Sequence, residues 1–233
     1  MSMSPEMTAH VREGALYIIA LVLSICVHEA GHAIVADRLG DPLPREQGRV
    51  TLNPLAHADP VGTLLFPIIA FVMAISNPEA GARMLGWGRP VQVSLSAKSI
   101  TRKISLPTAN ILISVAGIVM NLLFALVLSL VFFVMVHIRS ATSLALAFGP
   151  VDRIIQMNIG LAFFNLIPCP PLDGSHILGA LMPRRFSGVT DFLDRYGFMI
   201  FFALLMSGAL AYLMYPARWV GVQWLELLTQ WAV

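Results

Sequence analysis

Charged residues are scarce in this chain. Asp, Glu, Lys and Arg make up 12% of its 233 residues, about half the ~25% that a soluble globular domain carries. With 57% of the residues hydrophobic and a mean hydropathy of +0.77, a soluble fold is excluded. The length allows roughly four to six membrane helices, at about 25 residues each with connections. No room is left for an accessory soluble module, so one domain covering 1–233 is expected, with its chemistry inside the membrane bundle. Cysteine is scarce too: Cys26 and Cys169 cannot build a disulfide framework, and both lie in apolar stretches where a thiol packs as a small hydrophobe. A net charge of +2 with dispersed basic residues gives no footprint for nucleic acid. No repeat, low-complexity tract or linker is present. The polar first 14 residues lead into an apolar stretch without a small-residue cleavage site, so a removable signal peptide is not expected.

What is present is a series of apolar stretches. Ala15–Ala36 is long enough to cross a ~30 Å hydrocarbon layer and contains His28, Glu29 and His32. Val61–Ser76 is short and carries Pro67, which suggests a re-entrant segment. Arg49–Asn53 and Val91–Leu95 have the β-branched or alternating pattern of short strands. Ala109–Ile138 is a long apolar helix with a small and polar stripe of Ser114, Gly117, Asn121 and Ala125, a pattern that faces other helices rather than lipid. Ile154–Ile167 is followed by Pro168, Pro170 and Pro171, a break that membranes tolerate where it lines an enclosed cavity. Tyr196–Tyr215 is a last span, and residues 217–231 space their tryptophans as an interfacial helix. The expected class is an all-α polytopic bundle of about four full transmembrane helices, with a re-entrant segment and a small β element near the active site.

His28-Glu29-Ala30-Gly31-His32 is an H-E-x-x-H motif within a helix, which sets two imidazoles one turn apart as a zinc clamp and leaves Glu29 able to reach a water on the metal. Burying such a cluster in a membrane span costs several kcal/mol unless it binds something. A catalytic zinc needs a third protein ligand. Asp173 is the candidate, because the proline-broken backbone centres a site before Gly174; His176 is its rival. His57 and Asp59, in the run Asn53–Pro60, read as turn and cap residues.

HEAGH on an early helix, together with Asn165-Leu166-Ile167-Pro168-Cys169-Pro170-Pro171-Leu172-Asp173-Gly174 on a later one, resembles the site-2 protease family of intramembrane zinc metalloproteases, over about Leu16 to Met214. The resemblance implies one zinc per chain held by His28, His32 and Asp173, with Glu29 as general base and acid. It also implies that Asn165 holds the substrate backbone or the developing oxyanion. Gly117 and Asn121 are similar to the family's glycine-to-asparagine helix motif, although Ile118 stands where a proline often follows. The peptide-binding and nucleotide-sensing domains of many members are not expected here.

Eleven of the fifteen basic residues fall in 37–108 and 183–195. If Val61–Ser76 is re-entrant, these two regions share one side, which the positive-inside rule makes cytosolic. Rises of about 20 Å to His28 and up to about 28 Å to Asp173 bring the ligands to one depth if their helices run in the same direction. These readings predict a multi-pass protein of the cell (inner) membrane with its site nearer the cytosolic face. Expected partners are the bilayer, a transmembrane protein substrate and a regulatory membrane partner. A metal-ion transporter and a catalytically silent scaffold are the alternative classes.

Overall fold

The computed structural model describes residues 5–69, 72, 88–94, 104–138 and 141–230. Its long elements are α1 (Pro5–Leu39), α2 (Leu106–Ile138), α3 (Ala141–Asn165), α4 (Asp173–Leu181), α5 (Ser187–Ser207) and α6 (Tyr215–Gln230). Helix α1 has no internal proline, and it ends where Gly40 takes a φ of 103°. The Gly40 N–H then bonds the Asp37 carbonyl and the Asp41 N–H the Ala36 carbonyl, each at 3.0 Å. This left-handed cap satisfies carbonyls that the helix end leaves open. Arg45 turns the chain back with two bonds to the Asp37 carboxylate, at 2.7 and 2.6 Å.

Helix α2 is the central element, packed against α1, α3 and α4. Its contact with α1 is close because Gly31 faces it: a Cβ there would lie 2.8 Å from the Ala116 carbonyl oxygen. Apolar matching contributes little specificity between helices in lipid, so buried polar bonds mark the packing. Asn158 of α3 donates to Ser24 of α1 at 2.8 Å. Trp224 of α6 donates to Ser129 of α2 at 2.8 Å, and Gln156 of α3 donates to the Gly221 carbonyl at 2.9 Å. Helix α5 rests on the proline turn, where Gly197 meets Pro170 and Phe164 meets Phe201 edge-on at 5.9 Å.

The chain is mostly helical, and two of its described helices, Met7–Leu39 and Leu106–Met135, are long and apolar enough to cross a membrane. The expected helix boundaries shift. Helix α3 begins at Ala141, well before the apolar segment that starts at Ile154, and passes through Pro150; its polar residues there are partnered, Arg153 with Glu13 and Asp152 with Gln156. The expected span Tyr196–Tyr215 is interrupted at Gly208, where φ is 78°. Pro60–Leu65 forms a π-helical turn capped by Asp59, and the second half of the Val61–Ser76 stretch lies outside the described residues apart from Val72.

The expected small β element is not found among the described residues: Arg49–Asn53 and 88–94 form no strand, while Leu95 lies outside them. The physical reason is that backbone donors of 88–94 have other acceptors. Arg89 donates to the His57 carbonyl at 2.9 Å, Val91 to the Glu29 carboxylate at 2.9 Å and Ser94 to the Asp41 carboxylate at 2.5 Å.

Candidate metal centre

One turn of α1 separates His28 from His32, so both rings leave the same helix face toward α2, and both are buried. Helix α2 admits them because residue 117 is glycine: a Cβ there would lie 2.6 Å from His28 Cε1 and 2.5 Å from His32 Cε1. Four residues further along α2, Asn121 Oδ1 sits 2.9 Å from His28 Nδ1. The Ile113 carbonyl oxygen sits 2.7 Å from His32 Nδ1. Both partners accept, so both Nδ1 atoms carry the proton and both Nε2 atoms present lone pairs.

Those lone pairs converge. The two Nε2 atoms are 3.0 Å apart, and Asp173 Oδ2 lies 3.1 Å from that of His28 and 3.4 Å from that of His32. Asp173 begins α4 just after the proline turn, in which the Pro170–Pro171 bond is cis. With the ring N–H groups committed elsewhere, Asp173 Oδ2 is a buried acceptor without a donor. Three acceptor atoms held within 3.4 Å of one another repel unless a cation stands among them. A tetrahedral ion with bonds of ~2.0–2.1 Å needs ligand separations of ~3.3–3.4 Å. The donor set of two imidazoles and a carboxylate suits zinc and leaves a fourth position open.

The expected residues meet here. His28, His32 and Asp173 form the cluster, and they line a cavity of about 650 Å³ with Glu29 and Asn165. Glu29 is half-buried, its carboxylate accepting from Val91. Asn165 donates one amide hydrogen to the Leu161 carbonyl at 3.0 Å, which leaves its second for the cavity. His176 lines the cavity without joining the three-atom cluster. Cys26 and Cys169 are buried and bond backbone carbonyls. Asp59 caps Val61 and Gly62, as its place in a turn suggested.

Sequence reasoning missed the orienting roles of Asn121 and the Ile113 carbonyl, and the Val91 contact with Glu29. For Asn121 a signal was available, an amide in the most apolar of the described long helices. Beside this cluster, Arg49 is buried against the Ala56 carbonyl. Burial pushes its guanidinium below the usual range, Arg89 adding to that and Glu29 opposing it.

Comparison with known proteins decides the family. The model of peptidase family M50 matches residues 16–151 and 133–208. The chain belongs to peptidase family M50, the site-2 protease family. This M50 chain is 34% identical over 203 residues to "Putative zinc metalloprotease YwhC" of Bacillus subtilis (strain 168), covering 85% of this chain and 84% of that protein. It is 29% identical over 198 residues to "Putative zinc metalloprotease Rip2" of Mycolicibacterium smegmatis, covering 84% of this chain and 68% of the relative. The Rip2 of Mycobacterium tuberculosis (strain H37Rv) is 28% identical over 169 residues, covering 68% of this chain and 54% of the relative. No solved structure gives a significant match. The M50 chain is therefore a metalloprotease, and its converging acceptor atoms are chemically suited to the metal.

Proposed function

We propose that this M50 metalloprotease is an intramembrane endopeptidase that binds one zinc ion and hydrolyses a peptide bond within or beside a transmembrane segment of a membrane-protein substrate. The observation that carries the reading is the convergence of His28 Nε2, His32 Nε2 and Asp173 Oδ2 beside Glu29 in one cavity. His28, His32 and Asp173 would hold the zinc. When bound, zinc supplies a Lewis acid that polarises the scissile carbonyl and makes a water acidic enough to attack near neutral pH.

The remaining steps belong to side chains. Glu29 takes the proton from the attacking water and later delivers it to the leaving amine. The free amide hydrogen of Asn165 donates to the oxygen that gains charge. A substrate helix hides its carbonyls in i to i−4 bonds, so it must first become extended. Support for a membrane setting comes from the composition and from the two long apolar helices. The fuller arrangement is four spans with 61–76 re-entrant, the amino terminus outside and the zinc nearer the cytosolic face of the cell membrane. Substrate choice would then fall to partner membrane proteins or to elements between 48 and 96.

A panel of single-pass membrane proteins, reconstituted with the enzyme in liposomes, tests this reading by mass spectrometry of the product termini. Cleavage within or next to the membrane segment is expected. Products cut only in remote soluble loops would overturn it.

A further inference from the structure

The turn around His57 is not used by the chemistry above, yet it is tightly built. Asn53 accepts from Leu55 at 3.1 Å and Asp59 from Val61 and Gly62 at 3.0 and 2.7 Å. Between these caps His57 is fully buried. Its Nε2 donates to the Thr51 carbonyl at 2.9 Å, while the Arg49 guanidinium donates back to Ala56. Two side chains thus cross-brace a four-residue turn, and the braced turn offers the His57 carbonyl to the Arg89 N–H at 2.9 Å.

Two residues beyond that anchor, the Val91 N–H reaches Glu29 Oε2 at 2.9 Å. The anchored segment lies hard against α1 at this point. A Cβ on Gly88 would collide with Ile25 while lying 3.4 Å from the His57 carbonyl oxygen and 3.7 Å from Glu29 Cγ. Glu29 has three rotatable bonds and only partial burial, so its helix alone does not fix its carboxylate.

We propose that the His57 turn, acting through residues 88–94, positions the Glu29 carboxylate: His57 anchors Arg89, and Val91 supplies the N–H that sets the carboxylate's orientation. His57 and Val91 are positioning residues, since neither is assigned contact with a reacting atom. The inference rests on the reading of Glu29 as general base. A misplacement of about 1 Å at a reacting group can cost about 100-fold in rate, which sets the size of the expected effect.

The test measures kcat, KM and zinc content for wild type, V91P, V91A, H57A, H57Q and E29Q on one cleaved membrane substrate. V91P removes the N–H, and its kcat should fall about 10- to 100-fold with zinc content as in wild type. V91A keeps the N–H but trims a cavity-lining side chain, so its change should fall mainly on KM. H57A should lower kcat with zinc retained, and H57Q, whose amide can donate to Thr51, should recover most of the loss. The double variant V91P/H57A should be no worse than V91P alone, because both act through one contact. A V91P enzyme with wild-type kcat, zinc loss in H57A, or multiplying losses in the double variant would overturn the proposal. An inactive E29Q beside an active V91P sinks this inference alone, whereas an active E29Q sinks the general-base reading beneath it.

Discussion

Gly117 is the position at which the smallest perturbation should have the largest effect on the metal. A methyl group placed there would sit 2.6 Å from His28 Cε1, 2.5 Å from His32 Cε1 and 2.6 Å from His32 Nε2, whereas carbon contacts are comfortable at ~3.5–4.0 Å. G117A therefore forces a displacement of roughly 1 Å, either of the rings from their ligand positions or of α2 from α1. Metal sites tolerate departures of about ±0.2 Å, so ring movement breaks the convergence on Asp173. Helix separation instead incurs an overpacking cost of about 1–3 kcal/mol, and it stretches the bonds from Asn121 and the Ile113 carbonyl that fix the tautomers. Either route should weaken zinc binding about 10- to 100-fold, since ~1.4 kcal/mol is a factor of ten. The assay is zinc affinity by chelator competition on detergent-purified protein, with helix content from circular dichroism as a control for folding. Wild-type affinity in a folded G117A protein would refute the reasoning.

Two further outcomes are expected. N121L removes the acceptor at His28 Nδ1 and should lower zinc affinity about 10- to 100-fold, as loss of a ligand's orienting partner does; N121D, which keeps an acceptor, should lie closer to wild type, and equal affinity in all three proteins would show that Asn121 only joins helices. Single cysteines at positions 2 and 99 should react with a membrane-impermeant reagent from opposite sides of oriented vesicles. Cys26 and Cys169 are buried and contribute little background, and labelling of both positions from one side would refute the four-span topology.

The parts of the site that lie within a few residues of one another were legible in the sequence. His28 and His32 share a face because the helix repeats every 3.6 residues. Asp173 stood out because a carboxylate in a proline-broken apolar run needs a partner. Contacts between distant segments were not legible: Asn121 lies 93 residues from the histidine it orients, and although its amide stands out in an apolar helix, nothing in the sequence named its partner. Residues 91–95 alternate as a strand would, but alternation records which side chains face a surface. It does not show whether a neighbouring strand exists, and here Glu29 and Asp41 accept the N–H groups of Val91 and Ser94 that a ladder would use. Helix α3 likewise outran its expected start, and the partner of its Arg153 is Glu13, 140 positions away in the chain.

The central claim is that this metalloprotease uses zinc at His28, His32 and Asp173 with Glu29 as its base. Its most direct test is a single preparation series in which zinc per chain and cleavage of a membrane-anchored substrate are measured together for wild type and E29Q. The account predicts the same zinc content, about one ion per chain, in both proteins, with turnover only in wild type. Turnover by E29Q at the wild-type rate would contradict it.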